Sequence, residues 1–203
     1  RDGVTSVNDF RAMGYTAEAL ANYMTLLGWS PPEGMDERFS LEEAASVFAF
    51  DRVNKAGARF DWDKLNWLNS QVLHERSPEQ LLADLQPLWT AQGWDPATAT
   101  TAGSEASAAT RTWAEELCAL IGPSLTTLQD GIEQARPFFE RPELSEAAQQ
   151  QLASDGARPA LAALLERLPE GPLTADAAQA LLGEAVAAAG VKKGVLMKSL
   201  RAA

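Results

Sequence analysis

Trp62-Asp63-Lys64-Leu65-Asn66-Trp67-Leu68-Asn69-Ser70-Gln71-Val72-Leu73-His74-Glu75 places Leu65, Leu68 and Val72, with Trp67, at helical spacing. Apolar residues that recur three and four apart form one stripe on a helix, so residues 62–75 are predicted to be an amphipathic helix. Just beyond Arg76, Ser77-Pro78-Glu79-Gln80 reads as a second helix start. Pro is tolerated in a first turn, where its missing N–H has no partner to lose, and Gln80 can reach back to the Ser77 amide. The same punctuation recurs outward. Upstream, Ser40-Leu41-Glu42-Glu43 is another capping box, and Thr16 is a plausible cap for Ala17–Leu27 with Gly28 in the stop position. Downstream, Gly93 closes the second helix, and the Ala/Thr/Ser/Gly run of residues 96–110 reads as a loop into a helix from about Glu105 to Ile121. Gly122-Pro123 breaks the chain, and another helix is expected from near Ser124 to about Gln134. Pro137 and Pro142 bracket a connector. Further helices are expected at about 145–154, 159–168, 175–189 (capped by Thr174) and 195–203. No strand pattern and no glycine-rich phosphate loop is evident. The predicted fold class is all-α, in three units: 1–76, 77–136 and 137–203.

Composition narrows the function classes. The 203 residues are 46% hydrophobic and 22% charged, which suits a packed core and not a disordered chain. No apolar run is long enough to span a bilayer, so no membrane partner is expected. Cys118 is the single cysteine. It cannot form an internal disulfide, and the cytoplasm is the expected compartment. Arg1-Asp2-Gly3-Val4 has neither an initiator Met nor a signal-peptide pattern and reads as a processed or engineered start. The net charge of −11 is the wrong sign for a nucleic-acid binder. Distribution qualifies the sum. Residues 191–203 hold Lys192, Lys193, Lys198 and Arg201 and no acid. A protein this acidic can meet RNA only through such local patches.

Residues able to do chemistry are few. His74, near a helix end beside Glu75 and Arg76, is best read as a favourable charge at a helix C-terminus. Cys118, beside Leu117 and Leu120, is best read as a buried small hydrophobe. One His and one Cys give no metal-ligand spacing, so neither a metal site nor a catalytic group is expected. Trp62 and Trp67 flank Lys64, with Arg52, Lys55 and Arg59 just upstream. Such interleaving can neutralise phosphates and stack on bases, although spacing alone favours anchoring both rings in a core. In the tail, Val195, Leu196 and Leu200 can pack inward while Lys198 and Arg201 share a face. That face suits an RNA backbone or a helix C-terminus equally.

Several phrases run along essentially the whole chain: Arg1-Asp2-Gly3 with Ser6-Val7 and Phe10; Gly14-Tyr15, Glu18-Ala19-Leu20 and Asn22-Tyr23; and Leu26-Leu27-Gly28-Trp29-Ser30. Phe39-Ser40-Leu41-Glu42-Glu43, Asp51-Arg52-Val53, Phe60-Asp61, Lys64-Leu65, Trp67-Leu68-Asn69 and Leu200-Arg201-Ala202-Ala203 complete the set. Together they resemble bacterial glutamyl-tRNA synthetases. The resemblance implies a helical stem-contact domain over 1–76. It implies a two-part helical anticodon-binding region over 77–136 and 137–203, the last part cut short. It makes Arg1 the remnant of the ATP-binding loop, with no catalytic residue in this stretch. It makes Lys64 and Trp67 stem contacts, and it makes Arg201, with Lys198 and Ser124, the anticodon-binding candidates. An Arg suits base reading because its planar fork donates to a base edge while stacking.

For the whole protein the resemblance implies ligation of glutamate to tRNA-Glu with ATP and Mg, and no cofactor in this stretch. The implied partners are tRNA-Glu and the protein's own catalytic domain, in a monomer. One departure concerns Gly122-Pro123-Ser124-Leu125. Family members that reject tRNA-Gln carry an Arg after this Pro, whereas a short hydroxyl side chain demands little of the last anticodon base. The expectation is an enzyme that also charges tRNA-Gln. A competing reading from another class, favoured by the net charge and the Ala-rich helices, is an acidic helical protein-interaction module or degenerate paralogue.

Overall fold

Side-chain caps start most of the helices. Ser6, Ser40 and Ser77 each close a reciprocal capping box, and the hydroxyls of Thr16, Ser145 and Thr174 accept from amides three residues on. In the computed structural model, which describes residues 6–55, 57–96, 106–141, 143–169 and 173–203, the elements fall into two compact units, Arg1–Arg141 and Pro142–Ala203. The first carries α1 (Val7–Ala12), α2 (Ala17–Gly28), α3 (Leu41–Val47), α4 (Trp62–Glu75), α5 (Pro78–Ala91), α6 (Ala106–Ile121) and α7 (Asp130–Phe139). The second carries α8 (Glu146–Leu152), α9 (Ala157–Leu165), α10 (Ala175–Ala189) and α11 (Lys193–Ala202). Short 3-10 turns lie at Phe50–Arg52 and Gly122–Ser124. Among the described residues there is no strand, and the all-α expectation is borne out.

Four local readings need correction. Helix α1 was not anticipated. Gly28 does not stop α2 in a left-handed conformation. It stays in the helix, and Trp29 turns extended to bridge Val53, with the Gly28 carbonyl accepting from the Asn54 amide at 2.9 Å. Ser124 starts no helix; it closes the 3-10 turn, and α7 begins at Asp130. Pro137 does not end α7, because the helix runs on to Phe139, whose ring sits 5.4, 5.2 and 5.5 Å from those of Trp89, Trp94 and Trp113. Burial of that ring outweighs the one backbone bond that Pro137 deletes.

Among the described residues, three hydrophobic clusters lie in the first unit, the smallest of them Trp29, Phe39 and Ala44. Of the larger two, one packs Phe10, Tyr15, Ala19 and Tyr23 against Leu65, Leu68 and Val72, joining α2 to α4. The other gathers Leu81, Leu85, Trp89, Leu117, Cys118, Leu125 and Ala135 from α5, α6 and α7, and takes in Leu73 from α4. Residues 142–203 contain no aromatic residue. Their core is Ala160, Ala163, Leu164, Ala185 and Leu196, small side chains that let α9 approach α10 and α11 closely.

Polar groups seal the junction of α2, α4 and α5. Arg76, just past the end of α4, meets Glu18 at 2.6 Å and lies 3.3 Å from Asp84 as an ion pair without hydrogen-bond alignment. Burial pushes the Glu18 carboxyl upward. Its backbone hydrogen bond, the Arg76 guanidinium and the Arg38 charge outweigh that, and its pKa lies below the ordinary value. The unfolded chain therefore takes up this proton first. The stability held by the pair is present above the unfolded pKa and lost as pH falls through the lower folded one. Arg76→Gln is expected to flatten the dependence of the denaturant midpoint on pH between about 5 and 3. The change at neutral pH should be only about 0.5–1 kcal/mol, since the pair is partly exposed. An unaltered acid slope in urea titrations would contradict this role.

Candidate nucleic-acid interface

The first unit presents its basic and aromatic residues around the start of α4. Asp61 caps that helix, accepting from the Asp63 and Lys64 amides at 3.0 and 3.1 Å. Trp62 then turns back onto Phe60, Phe10 and Tyr15, with ring centroids 4.8, 5.9 and 6.4 Å away. Trp67 is 43% exposed, and among the described residues it belongs to none of the hydrophobic clusters. Trp62 is 40% exposed, so neither ring is anchored in a core as spacing favoured; the two differ in that Trp62 packs on the edge of an aromatic cluster.

Lys64, three residues before Trp67 and on the same helix face, pairs with Glu37. It lines a groove of about 280 Å³ together with Tyr23, Trp29, Glu37, Arg59 and Asp61. Two cations here stand among two carboxylates. An RNA phosphate reaching Lys64 must displace Glu37.

Ser124 is exposed at the end of the 3-10 turn between α6 and α7. Its hydroxyl has two acceptors in reach, the Ile121 carbonyl at 2.7 Å and Gln134 Oε1 at 2.6 Å, and one proton to serve them. The following segment is tied down on every side. The Asp130 carboxylate accepts from the Thr126 and Thr127 amides at 2.9 and 2.8 Å. The Leu128 amide donates to the Gly14 carbonyl at 2.9 Å, and the Gln129 carboxamide donates to the Ala12 carbonyl at 2.9 Å. His74 Nε2 lies 3.1 Å from the Leu125 carbonyl, an acceptor only, so that nitrogen carries the proton. His74 thus lies in the last turn of its own helix, as read, and also serves a neighbouring loop. Asn69, fully buried, accepts from the Thr16 amide at 2.8 Å and hydroxyl at 3.0 Å, and donates to the Thr126 carbonyl at 2.6 Å. Sequence reasoning missed Asn69, Gln129 and Asp130. The signal for Asn69 was a polar residue on the Leu65–Val72 apolar stripe.

In the second unit, α11 separates its two faces. Leu196 and Ser199 are fully buried, the Ser199 hydroxyl donating to the Val195 carbonyl at 2.8 Å. Lys198 and Arg201 face outward and line a shallow groove of about 320 Å³ with Ser145, Ala148 and Gln151. Ser124 and Arg201 lie in different units. Cys118 is buried, and burial first, then the Glu115 charge, push its thiol up to about 12, so it is no nucleophile at neutral pH. Among the described residues no group of acids, His and Cys can hold a metal, and no helix is long and apolar enough to cross a membrane. Arg1 lies outside the described residues.

A helical protein with an exposed basic face at its end fits an RNA-recognition module, and comparison with known proteins gives the class. Residues 80–203 match the family model of the anticodon binding domain, and the chain belongs to that family. The whole chain is 66% identical to the glutamate–tRNA ligase of Synechococcus sp. (strain RCC307) and 58% identical to that of Prochlorococcus marinus (strain MIT 9303), covering 41% of each. It thus spans about two fifths of the length of these curated relatives. Among solved structures, a glutamate tRNA ligase from Elizabethkingia meningosepticum superposes with a TM-score of 0.76 at 26% identity, over 95% of this chain and 36% of that one. The glutamate-tRNA synthetase of Elizabethkingia anophelis gives 0.72 at 26% identity, over 95% and 35%. The resemblance read from the motifs is borne out.

Proposed function

We propose that this chain is the tRNA-recognition portion of a glutamate–tRNA ligase, with residues 1–76 as stem-contact domain and 77–136 and 137–203 as the two parts of the anticodon-binding region. The observation that carries the reading is α11, where the anticodon-binding match ends. There Lys198 and Arg201 stand outward while Leu196 and Ser199 are buried beneath them. In an acidic chain, such a patch supplies the local positive potential that a nucleic acid requires. Lys64 and Trp67 supply the stem contact, a cation and a half-exposed ring one helical turn apart.

The whole protein, on this reading, is a cytoplasmic monomer that ligates glutamate to tRNA-Glu with ATP and Mg. The described residues of this chain hold neither a glycine-rich turn nor a carboxylate cluster for that nucleotide and ion, so no step of the ligation is assigned to them. Ser124 presents a short hydroxyl already engaged by Ile121 and Gln134. It leaves room beside the last anticodon base, which supports acceptance of tRNA-Gln as well. Comparable charging of the two tRNAs by the full-length protein is the expected result; a preference of several hundredfold for tRNA-Glu would refute it.

A titration of the chain with transcribed tRNA-Glu tests the central reading. Affinity should fall steeply with salt, and Arg201→Ala should weaken it by about 1–3 kcal/mol with a shallower salt slope. No shift at micromolar protein and low salt would count against RNA binding and favour an acidic protein-interaction module.

A further inference from the structure

We infer that Asn69 is a positioning residue for the RNA-contacting turn at Ser124, a role resting on the tRNA-recognition reading above. The turn joins α6 to α7, yet three of the groups that hold it come from far upstream. His74 secures the Leu125 carbonyl, Asn69 the Thr126 carbonyl, and Gly14 the Leu128 amide. The adjoining helix α7 adds Asp130, on the Thr126 and Thr127 amides, and Gln134, on the Ser124 hydroxyl.

Asn69 is the node of this set. Its side chain is fully buried, and the oxygen is saturated by two donors from Thr16 while the amide nitrogen reaches the Thr126 carbonyl at 2.6 Å. One carboxamide therefore fixes the start of α2, the middle of α4 and a backbone group two residues beyond Ser124. A hydrogen bond in such a dry site is strong, and leaving its partner unmet is costly. The anticodon-side turn is thus set in register from the stem-contact side, and displacement at Asn69 moves Ser124 without touching it.

Asn69→Asp separates the two arms. The carboxylate keeps both accepting bonds to Thr16, loses the donor to Thr126 and sets an oxygen against that carbonyl. Leu65→Ala is the control, a fully buried truncation in the same core whose side chain makes no hydrogen bond to the turn. Both variants are compared with the native chain under conditions where all three are folded by circular dichroism. Asn69→Asp is expected to raise amide exchange at Thr126–Leu128 about tenfold or more. Its affinity for transcribed tRNA-Glu should drop about three- to tenfold, because a contact group misplaced by an ångström loses most of its value. Leu65→Ala should leave both readouts within about twofold, since its side chain bonds no group of the turn and every hydrogen bond that Asn69 makes is kept. Equal shifts in the two variants, or none in Asn69→Asp, overturn the inference while native tRNA binding preserves the functional reading. A native chain that binds no tRNA overturns both.

Discussion

Replacing Trp89 with Ala is expected to destabilise the first unit by about 3–5 kcal/mol, the upper range for a core truncation. The ring is fully buried among Leu73, Leu85, Leu117 and Ala135 and packs 5.4 Å from Phe139. Its indole N–H donates to the Gly131 carbonyl at 3.2 Å. Truncation leaves a cavity and removes that hydrogen bond together. Gly131 leaves little room for relaxation, since a Cβ built there would meet Leu85 at 2.4 Å. Indole emission follows the first unit alone, because all six tryptophans lie before residue 142. Urea unfolding followed by emission should show the loss. A change below about 1 kcal/mol would mean that the site collapses freely, contrary to the packing seen.

Gly14→Ala is expected to be comparably damaging for a different reason. Gly14 sits at φ +87°, where an L side chain is strained. A Cβ there would also lie 2.7 Å from the Gln129 amide nitrogen and 2.9 Å from that of Leu128. Both obstacles are backbone and neither can swing aside. Relief requires parting the Gly14–Leu128 hydrogen bond and with it the Ser124 turn. The backbone strain alone is of order 1–3 kcal/mol, and the broken contacts bring the expected total to about 3–4 kcal/mol. The variant should lower the urea midpoint and weaken tRNA-Glu binding together. A stable variant with native tRNA affinity would show that the two segments are not coupled.

The caps were legible because they are local: Thr16, Ser40, Ser77 and Thr174 announce helices through groups three residues away. So was the outward face of α11, where one helical turn sets Lys198 beside Arg201. Pairings between residues far apart in the sequence were not legible. Nothing near Asn69 names Thr16 or Thr126, and nothing near Lys64 names Glu37. Gly28 and Pro137 misled for a related reason. Their usual local meaning was overridden, by a bridge to Val53 in one case and by a cluster around Phe139 in the other. Trp62 and Trp67 look alike in the sequence, and only Phe10, Tyr15 and Phe60 distinguish them.

The seam at Gly14, Asn69 and Arg76 also bears on how such chains can be recombined. A splice between relatives at residue 77, where the sequence marks a fresh helix, would marry two surfaces that never adapted to each other. It would leave Thr126 facing a foreign partner and Asp84 a foreign cation. Between residues 141 and 142 the chain passes from one compact unit to the next, and the seam stays whole on one side. For exchange of parts, by an engineer or by inheritance, the transferable module is the 62-residue second unit and not the anticodon-binding region as a block.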